Sequence, residues 1–356
     1  MPGTVLPPFP DDVPTVPLVV VDYALMKAGD AAEIDGLWKA ATELGFWYLK
    51  NHGADEEVDA MFEMGAETMA LSLEEKMLFE QGDSGVSFGY KYAGSSAVDQ
   101  HGTPDACEFI NVARDDALAW PTPARRTYPA TVNARMESAV RPFTLKSIEI
   151  AYVCFGIFDQ KLGLPDGTLA RLHPLDEHSG SESRCIKVPG NLPYSADKAT
   201  LGSHTDFGSL SFLHNRLGGL QVFPPGVEEW KYVKPLPGHA ICNIGDALTV
   251  FSGGILRSNV HRVVDSICRP PPKAQAAYER WSLVHFTRPG QSIMMQPLEQ
   301  SPMVAESVAK APGGKYNTGV NAGAWFARRI QYQRLANRKG PESWMASRGT
   351  EHKEIY

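Results

Sequence analysis

The sequence predicts an α+β fold with a mixed N-terminal half, a β-rich C-terminal half and a closing helix. Few helix-breaking residues interrupt the helical pattern from about 132 to 162, which predicts one long helix in the N-terminal half. After residue 184, short segments rich in β-branched and aromatic residues alternate with Gly/Pro turns. That spacing is typical of an antiparallel sandwich or barrel. The stretch 321–338 returns to a helical pattern and carries many cations.

The N-terminal half begins with two predicted strands separated by a helix. The β-branched run PLVVVD at 17–22 predicts the first strand, and GFWYLKNHG at 45–53 predicts the second. Between them, Asp30 and Glu33 have the spacing of a helix-capping pair, followed by apolar residues at helical intervals. A further helix is expected from about 55 to 71.

Composition excludes several classes of protein. The 356 residues are 43% apolar and 21% charged, with a net charge of −7, so a broad nucleic-acid-binding surface is not expected. The sequence has neither an apolar run long enough to cross a bilayer nor a secretory signal pattern, so no membrane partner is expected. Five scattered cysteines without a C-x-x-C pair indicate reduced thiols and a cytoplasmic setting. A monomer or weak oligomer is expected.

The segment LGSHTDFGSL at 201–210 carries two polar side chains among small and apolar residues. In an extended strand His204 and Asp206 would point to the same face. The segment SNVHRVV supplies His261 on a second predicted strand. Two histidines and one carboxylate form a facial triad that leaves three positions of an octahedral metal open, which suits non-haem Fe(II). The alternative is a polar network in which His204 caps a turn and Asp206 accepts backbone N–H groups.

The segment RWSLVHF at 280–286 alternates as a strand and places Arg280 and Ser282 on one face. An arginine that points into a barrel is costly unless an anion meets it. Its planar guanidinium matches a carboxylate in a bidentate manner, and a serine hydroxyl two residues later can bind the same group. A dicarboxylate 2-oxo acid could therefore chelate the metal and reach these residues. The alternative is an ion pair between Arg280 and an internal acid.

These motifs resemble the isopenicillin N synthase-like branch of the Fe(II)/2-oxoglutarate-dependent dioxygenases. The resemblance rests on VPLVVVD with ELGFWYLKNHG, on HTDFGSL, on NIGDAL followed by SNVHRVV, and on RWSLVHF. It implies a double-stranded β-helix, or jelly-roll, core with flanking helices. It also implies catalytic iron held by His204, Asp206 and His261, with 2-oxoglutarate on Arg280 and Ser282 and O2 as the second co-substrate.

The resemblance divides the chain into three regions. Residues 1–180 form the mixed N-terminal region, 181–290 the dioxygenase core and 291–356 a helical C-terminal extension. Two departures from the family pattern stand out. Arg280 lies 19 residues beyond His261, where about ten is usual, and a proline-led loop accommodates the excess. Val188 stands where the family often has a tyrosine, whose role Tyr194 could take.

The implied activity is oxidation of an unactivated C–H bond of a small molecule, with release of succinate and CO2. Hydroxylation, desaturation and ring formation all remain open. Other hypotheses are a ring-closing oxidase that ignores 2-oxoglutarate, a degenerate small-molecule binding module, and a zinc hydrolase with the same three ligands. The following residues are candidate substrate contacts: Phe207, Val284, Phe286, Tyr90 and Trp325. The closing-helix cations Arg328, Arg329 and Arg334 are interpreted as a solvated face.

Overall fold

The computed structural model describes residues 6–191, 199–264, 273–311 and 313–348. Its strands follow one another along the chain in short segments, most of them in the C-terminal half, as the sequence predicts. The strands are β1 Val19–Asp22, β2 Phe46–Lys50, β3 Gly89–Lys91, β4 Glu108–Ala113, β5 Glu182–Val188, β6 Ala199–His204, β7 Leu210–Asn215, β8 Leu220–Val222, β9 Lys231–Tyr232, β10 His239–Ile244, β11 His261–Val264 and β12 Arg280–Thr287.

The helices lie mainly before β5 and after β12. They are α1 Tyr23–Lys27, α2 Ala31–Glu43, α3 Asp55–Met69, α4 Leu73–Met77, α5 Arg114–Ala119, α6 Ala130–Ala134, α7 Arg141–Leu162, α8 Thr168–Arg171, α9 Asp246–Phe251, α10 Lys273–Ala276, α11 Pro302–Lys310, α12 Ala322–Gln333 and α13 Pro341–Arg348. The predicted long helix is confirmed as α7, which a π-helical turn precedes at Met136–Val140. The predicted closing helix is α12, which ends earlier than expected.

Two β-sheets form the core. The main sheet has the order β1-β2-β10-β7-β12-β5-β4-β3, and the minor sheet has the order β6-β11-β8-β9. The pair β1 and β2 is parallel, whereas every other pairing between these strands is antiparallel. Apolar side chains from both sheets meet in one cluster that includes Phe46 and Ile241 from the main sheet and Leu220 and Val222 from the minor sheet. The α+β jelly-roll prediction is therefore confirmed.

Helix starts follow the local sequence signals. Asp30 accepts hydrogen bonds from the backbone N–H groups of Ala32 and Glu33 and so begins α2. Glu33 does not complete a capping box, because its carboxylate accepts the N–H of Asp22 at the end of β1. A reciprocal capping box is present at α4, between Ser72 and Glu75.

Helices α3 and α7 pack on the outer face of the main sheet. Phe143 of α7 stacks on Phe212 of β7, with ring centroids 6.1 Å apart. Gly65 of α3 approaches Cys185 of β5 so closely that a Cβ atom at residue 65 would lie 2.1 Å from the Cys185 sulfur. This contact requires glycine, and it leaves the opposite face of the sheet free to line the interior of the jelly roll.

The division into three regions stays a prediction, because the main sheet takes strands from both 1–180 and 181–290. Four cysteines lie in the described part of the chain, all of them buried and outside any disulfide: Cys107, Cys154, Cys185 and Cys242. No helix in the described ranges is both long and apolar enough to cross a membrane.

Several histidines are buried in this core as neutral rings. Burial lowers the pKa of His173 to about 4 and that of His285 to about 3. His173 is held by the Leu169 carbonyl and the Ser209 hydroxyl. The Nδ1 atom of His285 lies 3.0 Å from the Ser183 hydroxyl, and its Nε2 has no hydrogen-bond partner among the described residues. Each ring therefore resists protonation in the folded state at a pH where the unfolded chain accepts a proton.

We expect the free energy of unfolding to fall as the pH falls below about 6.5, the ordinary histidine pKa. In the unfolded chain His173 and His285 then bind protons. In the folded chain the same buried rings stay unprotonated until the pH approaches their folded-state pKa. Each such ring contributes a slope of up to about 1.4 kcal/mol per pH unit. Urea denaturation between pH 7 and pH 5 measures this slope, and the His285→Phe variant should have a shallower one.

The matched control is His101→Gln, because His101 is exposed. Its slope should equal that of the wild-type chain. An unchanged slope in the His285 variant would show that this buried ring does not contribute to the pH dependence.

Candidate active site

A cavity lies between the two sheets and extends to the C-terminal helices, which complete its lining. Inward-facing residues from both sheets form its wall. Those from the main sheet include Phe46, Phe109, Arg184, Ile186, Val188, Ser211, Leu213, Asn215, Asn243, Arg280, Ser282, Val284 and Phe286, and those from the minor sheet are Thr200, Leu201, Gly202, Leu220, His204, His261 and Val263. The cavity is therefore the interior of the jelly roll.

The structure brings His204, Asp206 and His261 together on this wall. One ligand atom of each lies within 4.8 Å of the other two. The Nε2 atoms of both histidines are 3.7 Å from the same oxygen, Oδ1 of Asp206. Strand pairing explains the histidine contact, because His261 is directly opposite His204 in the β6–β11 register. Two nitrogen donors and one carboxylate oxygen thus converge on one point.

The prediction that His204 and Asp206 lie in one strand is wrong for Asp206. Strand β6 ends at His204, and Asp206 lies in the following turn. The backbone carbonyl of Asp206 accepts the N–H of Asp246 at 2.8 Å, which holds the turn against the start of α9. The carboxylate still reaches the histidines, since its Oδ1 atom lies 3.7 Å from the Nε2 atom of each.

Hydrogen bonds fix the orientation of all three side chains. Nδ1 of His204 lies 2.8 Å from the Gly202 carbonyl, and Nδ1 of His261 lies 3.1 Å from the Asn259 carbonyl. A carbonyl only accepts, so Nδ1 carries the proton in each ring and Nε2 keeps its lone pair. Both Nε2 atoms can therefore bind a metal.

Two further polar groups bind the other oxygen of Asp206. Oδ2 accepts from the Ser211 hydroxyl at 2.5 Å and from the Asn243 side-chain amide at 2.7 Å. These partners were missed from sequence, although the strand alternation of HAICNI would have placed Asn243 on an inward face. Outer partners of this kind orient metal-binding carboxylates. Oδ1 alone is left facing the histidines.

Electrostatics keep His204 and Asp206 in the protonation states that a metal requires. Burial, reinforced by the nearby His261, lowers the pKa of His204 to about 3. Burial acts to raise the pKa of Asp206, but the two histidines and the hydrogen bonds from Asn243 and Ser211 outweigh it and lower that pKa. A neutral imidazole and an ionised carboxylate result, which is the donor set that a divalent cation binds.

Arg280 and Ser282 lie together on the same cavity wall. The guanidinium of Arg280 donates to the Ser282 hydroxyl at 2.6 Å and to the Gly218 carbonyl at 2.7 Å. Arg280 is buried, and no carboxylate among the described residues lies within 4.0 Å of it. Burial lowers its pKa to about 10, which still leaves it charged at neutral pH. The internal ion pair considered as an alternative is therefore absent from the described part of the chain.

Val188 lies directly opposite Arg280 in the β5–β12 register and presents only an apolar side chain to the cavity. Tyr194, its suggested replacement, lies outside the described residues. Asn215 was missed from sequence and lies opposite Ser282 in the β7–β12 register. Its buried side-chain oxygen has no hydrogen-bond partner in the described structure. An amide next to the arginine is thus available to a bound polar group.

The predicted substrate contacts divide into two groups. Phe207, Val284 and Phe286 line the cavity. Tyr90 does not line it, because its ring is buried outside the cavity and its hydroxyl donates to Glu108 at 2.6 Å. Trp325 lines a separate, smaller cavity instead.

The interpretation of the closing-helix cations as a solvated face is wrong for Arg329 and Arg334. Both are buried, at 1% and 3% exposure. Arg329 forms an ion pair with buried Asp246, and Arg334 forms ion pairs with Glu80 and Asp83. Since a helical pattern shows only which residues share a face, the sequence could not show that acids distant in the chain meet this face.

Two family models match the chain. The 2OG-Fe(II) oxygenase superfamily matches residues 182–289, which contain the triad and the Arg280 strand. The family described as non-haem dioxygenase in morphine synthesis N-terminal matches residues 16–131. Together the two matches cover every strand from β1 to β12, and they place the candidate site inside the oxygenase match.

Curated relatives agree with these matches. A 2-oxoglutarate-dependent dioxygenase of a Dothideomycetidae species is 30% identical over 281 residues, covering 76% of this chain and 81% of the relative. One from Aspergillus fumigatus is 28% identical and covers 92% of both chains.

Among solved structures, a full-length Neurospora crassa protein in complex with α-KG has a TM-score of 0.70 at 22% identity, covering 90% of this chain and 98% of that one. JOX2 in complex with 2OG, Fe and JA has a TM-score of 0.63 at 21% identity, covering 83% of each chain. At these identities the solved structures support the fold. The chain belongs to the 2-oxoglutarate- and Fe(II)-dependent oxygenase superfamily, in its isopenicillin N synthase-like branch.

Proposed function

We propose that His204, Asp206 and His261 bind the catalytic Fe(II) of a 2-oxoglutarate-dependent oxygenase that oxidises a small molecule. The convergence of two Nε2 atoms and Oδ1 of Asp206 carries this proposal. Each ring keeps its Nε2 lone pair because Nδ1 donates to a backbone carbonyl. Three protein ligands leave open positions for a co-substrate and O2.

Arg280 and Ser282 are proposed to bind the far carboxylate of 2-oxoglutarate. The buried guanidinium of Arg280 lacks an acidic partner among the described residues, so a ligand carboxylate would compensate its charge. The Ser282 hydroxyl already lies 2.6 Å from this guanidinium and can donate to the same carboxylate. The unpartnered side-chain oxygen of Asn215, opposite Ser282, only accepts hydrogen bonds and is therefore not assigned to this carboxylate.

When bound, Fe(II) and 2-oxoglutarate activate O2, yielding succinate, CO2 and one oxygen atom for oxidation of the substrate. The residues of this chain orient and protect that chemistry. Ser211 and Asn243 hold Asp206 so that its free oxygen faces the metal position. Apolar residues on the cavity wall, such as Val284 and Phe207, exclude water around it. Hydroxylation, desaturation and ring formation would share this arrangement.

The alternative of a ring-closing oxidase independent of 2-oxoglutarate gives Arg280 no ligand, and a zinc hydrolase likewise needs no such clamp. We therefore favour the 2-oxoglutarate-dependent reaction. The proposal also includes a cytoplasmic enzyme, monomeric or weakly oligomeric, without nucleic-acid or membrane partners. These points stay predictions.

We expect His261→Ala to abolish tight Fe(II) binding, because a facial triad cannot form from two ligands. Asn243→Ala should weaken Fe(II) binding by about 10- to 100-fold, since it removes a hydrogen bond that orients Asp206. The measurement is metal content after anaerobic loading and dialysis, followed by titration with Fe(II). His101→Ala changes an exposed histidine and is the matched control. Full metal content in the His261 variant would contradict the proposed ligand set.

We expect Arg280→Gln to weaken 2-oxoglutarate binding by about 10- to 100-fold, because charged hydrogen bonds contribute roughly 1.5–3 kcal/mol. Ser282→Ala should have a smaller effect in the same direction. Calorimetric titration of the anaerobic Fe(II) protein with 2-oxoglutarate measures both. The control is Arg171→Gln, since Arg171 is exposed and far in sequence from the clamp. Equal affinity in the wild-type and Arg280 proteins would contradict the assignment of Arg280, and the absence of binding to the wild-type protein would favour the oxidase that ignores 2-oxoglutarate.

A further inference from the structure

Two arginines that the proposed chemistry does not use line the same cavity as the metal triad. Arg184 lies on β5, and Arg288 follows the end of β12. Their guanidinium carbons lie 5.0 Å and 4.8 Å from the ring centroid of Phe286. Arg184 is also stacked on Phe109, at 4.2 Å. The two cations are therefore held in fixed positions by aromatic rings.

One carboxylate serves both cations. Oε1 of Glu182 accepts from Arg184 at 2.8 Å and from Arg288 at 3.2 Å, whereas Oε2 accepts from the Ser87 hydroxyl. No second acid of the described residues lies within 4.0 Å of either guanidinium. Two positive charges and one negative charge leave an excess of one positive charge beside the cavity.

The other carboxylates on the cavity wall are already committed. Asp105 forms an ion pair with buried Lys91. Asp206 faces the two histidines of the triad. Asp206 acts on Arg288 through space, but its carboxylate is directed at the two histidines, where the proposed Fe(II) would compensate it. A buried excess charge is costly unless an anion compensates it.

Hydrogen-bond donors are also left over in this pair. Arg184 donates through Nε to Asn111 and through one terminal nitrogen to Glu182, and its second terminal nitrogen has no partner among the described residues. The side chain of Arg184 is 15% exposed, and Arg184 lines the cavity. The Nε atom of Arg288 is buried without a partner in the described ranges. At least one charged donor is thus available to a molecule in the cavity.

This pair is a different position from the Arg280 clamp. Arg184 lies opposite Val284, four residues along β12 from Arg280. At about 3.3 Å per residue, the two backbone positions are about 13 Å apart. The guanidinium of Arg280 is bonded to Gly218 and Ser282, whereas that of Arg184 is held against Glu182 and Phe286, so the two groups occupy different points of the wall. The second position is therefore available to the substrate.

We propose that the substrate carries a carboxylate, which binds Arg184 and the excess positive charge it shares with Arg288 and Glu182. This inference rests on the proposed function and adds the substrate class to it. A planar guanidinium held by aromatic rings is preorganised for a carboxylate, so little rotamer entropy is lost on binding. The apolar part of the acid would then lie along Phe286 and Val284 toward the metal position.

The test uses three acids as probes, each matched with its primary amide: phenylacetate, hexanoate and benzoate. Each is titrated calorimetrically into the anaerobic protein with Fe(II) and saturating 2-oxoglutarate. We expect at least one acid to bind about tenfold or more tightly than its amide, since hydrogen bonds to a charged partner are roughly twice as strong as neutral ones. The inference is overturned if no acid binds more tightly than its amide.

Two variants with opposite expected effects on the preference for the acid test the roles of Arg184 and Glu182. Arg184→Gln should remove the preference for the acid, whereas Glu182→Gln should increase it, because the excess charge rises from one to two. Circular dichroism and 2-oxoglutarate affinity check that each variant is folded. If Arg184→Gln fails to fold, Glu182→Gln alone decides, and an unchanged preference for the acid in that variant contradicts the inference.

Failure of the proposed function would look different. If 2-oxoglutarate does not bind the wild-type protein, the proposed co-substrate is wrong. The acid and amide titrations are then repeated in the Arg280→Gln background, which removes the other candidate carboxylate site. A retained preference for acids there supports the Arg184 site by itself, and its loss overturns it.

Discussion

The site depends on one asymmetry in the Asp206 carboxylate. One oxygen accepts two hydrogen bonds from the main sheet, and the other has only the two histidines of the minor sheet before it. Ser211 and Asn243 come from neighbouring strands of the main sheet, so this sheet orients the carboxylate toward the histidines that the minor sheet supplies. The geometry of the metal position is therefore a property of the assembled jelly roll, and no single motif holds it.

Charge is distributed along the cavity in a way that assigns different tasks to different arginines. Arg280 is buried without an acid among the described residues, whereas Arg184 and Arg288 share Glu182. A fully paired arginine would gain little from a ligand carboxylate, because that ligand would have to displace the internal acid. A buried arginine without such a partner favours an anionic ligand, at the cost of some stability in the ligand-free protein.

Features that depend on short-range spacing could be predicted from sequence. The alternation in RWSLVHF places Arg280 and Ser282 on one inward face, and HTD with the distant His261 supplies the three residues that converge. The expectation of Asp206 in a strand is wrong because β6 ends at His204. Beyond that residue, side chains at positions i and i+2 no longer have to point to the same face. The partners on β7 and β10 contribute through strand register, which joins residues far apart in sequence and cannot be read from local patterns.

The contacts of Arg329 also could not be predicted from local sequence patterns. They show how the last helices support the site. A cation-rich helix normally faces water, yet Arg329 is buried against Asp246 of α9. Asp246 also accepts from the Thr205 hydroxyl at 2.8 Å and donates its N–H to the Asp206 carbonyl.

The last helices are therefore linked to the metal turn through one buried carboxylate. Loss of Arg329 would leave the Asp246 carboxylate in the core without its arginine, and breaking a buried pair in this way typically costs about 3–5 kcal/mol. The turn that carries Asp206 would lose part of its support at the same time. Because Ile330 and Gln333 of the same helix line the cavity mouth, the packing that closes the cavity also holds the metal turn in position.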